Sequence, residues 1–230
     1  FYLLSNLSLL DVCFTSTTIP KMLLNHLWGL STISFSACLV QMYFFIAFGA
    51  ADSILLSAMA YDRYLAICRP LHYMMIMSMP QCALLVFVSW ILGNMISMVH
   101  TILMTRLSFY TTRIPHFFCD INALIKLSCS DKYVNEMLML VLGGSGVLVP
   151  FVCILASYTP IAVAVWKVPS ARGKWKALST CSSHLCVVSL FYGTIIGVYF
   201  NPLSTHTTHR DMAATVMYTM VTPMLNPVVY

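Results

Sequence analysis

Cys38-Leu-Val-Gln-Met-Tyr-Phe-Phe-Ile-Ala-Phe-Gly-Ala-Ala-Asp52-Ser-Ile-Leu-Leu-Ser-Ala-Met-Ala-Tyr-Asp62-Arg63 is the stretch that decides the fold. From Cys38 to Arg63 is 25 residues, or about 37 Å of α-helix at about 1.5 Å per residue. That length crosses a bilayer, and Asp52 is the one charged residue before Asp62. The flanks repeat the pattern. Uncharged runs cover 22–51, 70–105, 137–166, 177–209 and 212–230. Each is long enough for a span of about 20 residues. The segment 1–20 is apolar but rich in Ser and Thr, and it contains Asp11.

Composition agrees with this reading. Hydrophobic residues make up 60% and charged residues 8%, with mean hydropathy +0.85. A soluble domain carries about 25% charged residues, so this chain has too little charge to cover a water-facing surface. Disorder is excluded as well, because it requires low hydrophobicity. The expected fold class is all-α, a polytopic transmembrane bundle of six helices near 2–24, 33–67, 82–104, 134–166, 176–200 and 212–230. Pro150, Pro160, Pro223 and Pro227 fall inside these helices and would kink them.

An even number of spans places both ends on one side. One loop set then holds Arg63, Arg69, Lys167, Arg172, Lys174 and Lys176; the other holds Lys21, Arg106, Arg113, Lys126, Lys132 and Arg210. The numbers are equal, so the positive-inside rule decides by density. Four cations crowd into 167–176, while Asp120, Asp131, Glu136 and Asp211 dilute the second set, and the first set is therefore expected on the cytoplasmic side. The net charge of +5 reads as loop charge facing lipid headgroups and soluble partners. Nucleic acid is not an expected partner, because no basic stripe with interleaved aromatics is present.

Of the nine cysteines, Cys13, Cys68, Cys82, Cys153, Cys181 and Cys186 lie in or beside apolar runs and are expected to be buried thiols. Cys38, Cys119 and Cys129 lie near loops, and Cys38 could bond to Cys119 in the long connection 105–133. His116, Cys119 and Asp120 suggest a metal site only weakly, since a disulfide would remove the thiolate. Asn6-Leu7-Ser8 matches a glycosylation sequon but falls inside the first predicted helix, so it should be unmodified.

Asp52, 14 residues from Cys38 and 11 from Arg63, lies near mid-bilayer; Asp11 and Asn226 are also deep. A charge at the bilayer centre costs about 2.5–3.5 kcal/mol on insertion scales. Asp11, Asp52 and Asn226 could share a cation, a sodium ion for instance, or a proton. Two locally bonded protonated acids serving only packing would satisfy the same requirement.

Several motifs are more specific than composition. Met59-Ala-Tyr-Asp-Arg-Tyr-Leu-Ala-Ile-Cys-Arg-Pro-Leu-His-Tyr73 resembles the inner end of the third helix in vertebrate olfactory receptors, which belong to the rhodopsin-like G-protein-coupled receptors. Lys176-Ala-Leu-Ser-Thr-Cys-Ser-Ser-His184, followed by Phe191-Tyr192-Gly193, resembles their sixth helix. Pro223-Met-Leu-Asn-Pro-Val-Val-Tyr230 resembles the end of their seventh. Leu4-Ser-Asn-Leu-Ser-Leu-Leu-Asp11 and Pro20-Lys-Met22 resemble their second helix. His116-Phe-Phe-Cys-Asp120 and Leu127-Ser-Cys-Ser-Asp131 resemble their second extracellular loop. The resemblance runs over nearly the whole chain.

The resemblance implies that the six helices are helices two to seven of a single seven-helix domain covering 1–230. The first helix and both tails are expected to lie outside this chain, and the chain alone is expected not to signal. It also implies a plasma-membrane, multi-pass odorant receptor, in sensory neuron cilia. Two departures stand out. Ser108-Phe109-Tyr110 stands where the family has a further cysteine, which would leave Cys129 without its usual partner. The mid-membrane acid of the third helix is Asp52 rather than the family's Glu.

The implied ligand is a small volatile odorant held between the third, fifth, sixth and seventh helices in their outer halves. Phe45, Ile46, Gly49 and Ala50 fall on one helical stripe, with Gly49 and Ala50 leaving room. Leu142, Gly146, Ile195, Tyr199, Val216 and Thr219 are the facing candidates. Phe45 stands where amine receptors carry an Asp, so an amine held by that salt bridge is not expected. The implied partner is a heterotrimeric stimulatory G protein of the olfactory type, raising cAMP, with membrane lipid around the bundle. In that mechanism Asp62 holds Arg63 at rest, within the Asp62-Arg63-Tyr64 triplet, and Tyr158 and Tyr230 then move toward Arg63. Lys174, Lys176 and Arg172 border the G-protein site, His184 latches the sixth helix, and Asn226-Pro227 shape the seventh. A receptor for a non-odorant ligand would share the inner residues. A secondary transporter using Asp11 and Asp52 would need inverted repeats, and none is visible. No nucleophile, acid–base pair and oxyanion group converge as an enzyme requires.

Overall fold

The computed structural model describes residues 2–28, 32–109, 113–114, 119, 121, 124–125, 128 and 133–199. Within them the chain forms α1 (Tyr2–Trp28), β1 (Ile33–Ser34), α2 (Phe35–Cys68), α3 (Pro70–Ile76), α4 (Met79–Thr105) and β2 (Arg113–Ile114). Then α5 (Tyr133–Leu138) runs through a π-helical turn, Met139–Gly143, into α6 (Gly144–Lys167), and α7 (Ala171–Tyr199) follows. Five spans are long and apolar enough to cross a membrane among the described residues: Tyr2–Leu24, Phe35–Cys68, Met79–Thr105, Glu136–Lys167 and Ala171–Gly197. They match five of the six expected helices. The sixth, 212–230, lies outside the described residues.

α2 is the hub, touching α1, α3, α4, α6 and α7. Its start is fixed by Ser34, whose hydroxyl accepts from the Ala37 amide at 3.4 Å. Arg69 closes it, and Pro70 opens α3, where its missing N–H costs nothing. α1 turns Leu3, Leu7, Leu10 and Phe14 inward, at the spacing that keeps side chains on one helical face.

α4 shows how lipid inverts the usual pattern. Its buried stripe is Val86, Ser89, Gly93, Ser97, His100 and Met104, mostly small or polar. Phe87, Ile91, Met95, Met98 and Ile102 face outward. Apolar side chains gain nothing by leaving hydrocarbon, so helices approach through small residues instead. At Gly93 the approach is closest: a Cβ there would fall within 2.9 Å of the Ala51 backbone nitrogen and collide with the Ala47 carbonyl.

The core has two parts. The larger joins Leu7, Leu10, Leu55, Leu56, Ile154, Val187 and Phe191 through the membrane interior. The second lies under the outer end and joins Cys38, Met42, Met104, Cys119, Leu124 and Ile125.

Three features depart from expectation. The segment after Arg69 forms the helix α3 instead of a plain loop. α7 begins at Ala171, so Arg172, Lys174 and Lys176 stand on its first turns and not in a loop; the Ser170 hydroxyl accepts from the Gly173 amide and starts that helix early. Of the six cysteines expected to be buried only Cys181 is; Cys13, Cys68 and Cys82 are half-buried and Cys153 and Cys186 are exposed on the bundle exterior, where lipid accepts a thiol as readily as a core does.

Candidate functional site

The outer end is pinned covalently. Cys38 and Cys119 form a disulfide with their Cα atoms 5.3 Å apart, joining positions separated by 81 residues. Ile33 pairs with Ile114 and Ser34 with Arg113 in a two-residue antiparallel ladder beside it. Gln41 reinforces the junction: its Oε1 accepts from the Cys119 amide at 3.2 Å, and its Nε2 donates to the Thr17 carbonyl at 3.3 Å. One amide thus ties α1, α2 and the loop. The sequence reading missed Gln41. The signal was a lone amide in an apolar run, three residues from Cys38.

At mid-membrane, Asp11 of α1 and Asp52 of α2 are both buried, 5% and 8% exposed, and close enough to feel each other's charge. Oδ1 of Asp52 is buried with no hydrogen-bond partner among the described residues. Beside it, the Ser53 hydroxyl and the Tyr192 hydroxyl are 2.9 Å apart, linking α2 to α7. Asn226, the third expected member, lies outside the described residues.

The inner end carries the coupling motif. α7 runs antiparallel to α2, since Ser53 meets Tyr192 while Leu56 meets His184. That direction puts Arg172, Lys174 and Lys176 at the same end of the bundle as Arg63. Among the described residues Asp62 and Arg63 form no ion pair, contrary to the expected resting contact. Tyr73 of α3 donates its hydroxyl to Asp62 Oδ1 at 2.8 Å instead. Burial, and then that bond to the carboxylate, push the Tyr73 hydroxyl up to about 12. Adjacent residues project about 100° apart on a helix, so Asp62 can meet α3 while Arg63 turns inward. Nε of Arg63 is buried without a hydrogen-bond partner among the described residues, and the guanidinium lies near Tyr158, Cys181 and His184.

His184 is fully buried and links three helices. Its Nδ1 lies 2.8 Å from the Tyr158 hydroxyl and its Nε2 lies 3.1 Å from the Leu56 carbonyl. A carbonyl only accepts, so Nε2 carries the proton and donates, leaving Nδ1 to accept from Tyr158.

The candidate odorant residues are less uniform. Phe45 packs on Phe14 of α1, ring centroids 4.9 Å apart. Ile46 packs into the outer cluster. Gly49 and Ala50 are half-buried, whereas the small residues that admit a close neighbour are Ala47 and Ala51. Leu142 is half-buried in the π-turn. Gly146 is buried, and a Cβ there would lie 3.4 Å from Ile96 of α4. Ile195 is in the larger core. The side chain of Tyr199, and all of Val216, Thr219, Pro227 and Tyr230, lie outside the described residues. A groove of about 390 Å³ between α2, α4 and α6, lined by Ile54, Tyr61, Val88 and Ser157 among others, includes none of these residues.

A polytopic helical bundle with a disulfide-tied outer end and an Asp-Arg-Tyr motif at its inner end defines a membrane receptor. The family model described as olfactory receptor matches residues 1–230. The chain is 57% identical over 231 residues to olfactory receptor 1f45 of Rattus norvegicus, covering 100% of this chain and 74% of that protein. It is 54% identical to olfactory receptor 1F1 of Homo sapiens and 53% identical to olfactory receptor 1M1 of Homo sapiens, with the same coverage. The chain belongs to the olfactory receptor family, and it is a multi-pass plasma-membrane odorant receptor.

Proposed function

We propose that a small volatile odorant, bound in the outer half, drives this bundle to activate a stimulatory G protein of the olfactory type at its inner end, raising cAMP in sensory cilia. The observation that carries the reading is Arg63. Its neighbour Asp62 is engaged by Tyr73, so the guanidinium is left facing the Tyr158–His184 contact at the end where Lys174 and Lys176 stand. A charge held there with an N–H unpartnered among the described residues is ready to donate to a carbonyl of a partner helix. Ligand then acts by population shift, binding more tightly to the packing in which the inner mouth is open.

Phe45, Ile46, Gly49, Ala50, Leu142, Gly146, Ile195, Tyr199, Val216 and Thr219 remain the proposed odorant-lining set. Ile46 has the best support, because it borders the outer cluster rather than the bundle centre. Asn226, Pro227 and Tyr230 complete the proposed switch. Asp11 and Asp52 fit a sodium ion: carboxylate oxygens suit a hard cation, and the buried Asp52 Oδ1 has no competing donor among the described residues. Basic residues at 167–176 also suit anionic lipid headgroups.

Arg63→Ala in the full-length receptor should abolish odorant-driven cAMP with surface display intact. Unchanged coupling would contradict the reading.

A further inference from the structure

We propose that the corner joining α6 to α7 binds one phosphoinositide of the cytoplasmic leaflet, with an acyl chain in a groove on α6 and the phosphates on Lys167, Arg172 and Lys176. The inference rests on the proposed reading only for which face of the membrane this end meets. α6 ends at Lys167 and α7 begins at Ala171, so a short turn separates the two helices. That turn is folded tightly. The Ser170 hydroxyl accepts from the Gly173 amide at 3.1 Å, and a Cβ on Gly173 would fall 2.8 Å from side-chain atoms of both Val168 and Ser170. The last turn of α6 and the first of α7 are therefore held together.

Each helix brings an aromatic ring beside its cations. Trp166 is 84% exposed and Trp175 is 75% exposed. Tryptophan settles at the headgroup level of a bilayer, which puts this corner at the membrane surface. On α7, Arg172, Trp175 and Lys176 follow the spacing that shares one helical face, and all three are exposed. Lys174 lies about 200° round the helix from Arg172, at about 100° per residue, and it is half-buried. The cations therefore divide: Lys167, Arg172 and Lys176 stand with the tryptophans, and Lys174 is turned away from them. No Asp or Glu occurs between Glu136 and Asp211, so no acid neighbours these cations in the sequence.

Beside Lys167 there is room for the rest of the lipid. A groove of about 300 Å³ on α6 is lined by Ala162, Val163, Trp166 and Lys167. Ala162 and Trp166, like Val163 and Lys167, are four residues apart, so the groove follows two adjacent rows along the helix. It lies within the span Glu136–Lys167, where the surrounding solvent is hydrocarbon. Lys167 ends that span, with its stem along the groove and its ammonium free to meet a phosphate. Clustered cations just cytoplasmic of a span attract anionic lipid. Diffuse attraction would use all four alike. Three exposed cations on adjoining helix ends, at the mouth of an acyl groove, match one headgroup that carries several phosphates.

The test places the purified full-length receptor in phosphatidylcholine vesicles with acyl-labelled phosphatidylinositol bisphosphate as the probe, and reads energy transfer from tryptophan to the label. Lys167→Gln, Arg172→Gln and Lys176→Gln should each weaken binding about fivefold, and Lys174→Gln should stay within about twofold of wild type. Unlabelled phosphatidylserine at matched total charge should compete poorly. Equal competition by phosphatidylserine, or a loss in Lys174→Gln equal to the other three, means ordinary surface attraction and overturns the site. Unchanged binding in the triple variant overturns it too; if the triple variant does not fold, the single variants decide. The side of the membrane is read separately: Pro169→Cys should gain labelling by a membrane-impermeant maleimide only in permeabilised cells. Failure of lipid binding with that labelling pattern overturns this inference alone. Labelling of intact cells puts the corner outside and overturns both this inference and the coupling reading.

Discussion

The Tyr158 hydroxyl lies 2.8 Å from Nδ1 of His184, and the two rings stack at 5.7 Å with only 13° between their planes. Through the other nitrogen of the same ring α7 is tied to the Leu56 carbonyl of α2. Three spans therefore converge on one buried imidazole, near the inner end where the bundle would have to open.

This geometry makes the contact a restraint on the closed packing. Tyr158→Phe keeps the stacked ring but removes the one O–H donor to Nδ1. Losing a neutral buried hydrogen bond is worth about 1 kcal/mol, which changes a two-state ratio about fivefold. Ligand-independent cAMP in the full-length receptor, at matched surface density, should rise by about that factor. A basal signal equal to or below wild type would show that the contact does not hold the closed state.

Much of this arrangement was legible in the sequence. The charge gaps located four of the five described spans, because a helix in lipid must be largely apolar whatever its partners, and the first was read from its apolar residues despite Asp11. Arg63, Tyr158 and His184 were singled out by motif, and the structure does place them together. Their pairing was not legible. Asp62 turned to Tyr73 because α3 forms after Arg69, and nothing in a short polar-apolar mixture announces a seven-residue helix. The inward faces were also hard to read. The lipid-facing sides of these helices are apolar too, so periodicity carries little signal, and the stripe Gly49–Ala50 was preferred over the truly close-packed Ala47 and Ala51. Small residues mark contacts, but only the partner helix shows which ones.

The α2–α4 crossing gives a sharper test of that point. At Gly93 a Cβ would overlap backbone atoms of Ala47 and Ala51, which cannot rotate away. At Gly193, which is exposed, nothing lies within 4 Å of the added carbon. Gly93→Val should therefore force the helices apart at a cost of about 1–3 kcal/mol or more, and surface display of the receptor should drop severalfold. Gly193→Val should be displayed near wild-type level. Equal display of the two variants would mean that the crossing is not as close as described.

The disulfide should matter through the chain it closes. Cys38 and Cys119 are separated by 81 residues, and closing a loop of that length removes unfolded-chain entropy equivalent to about 4–5 kcal/mol. The bond also holds the Cys119 amide against Gln41, so α1 loses its indirect link to the loop when the bond is absent. Cys38→Ala and Cys119→Ala should each strongly reduce surface display. The double variant should be no worse than either single one, because one bond is lost in all three. Flow cytometry on unpermeabilised cells distinguishes this from additive damage. If the double variant fell well below both singles, the two cysteines would be stabilising the protein separately, not as a pair.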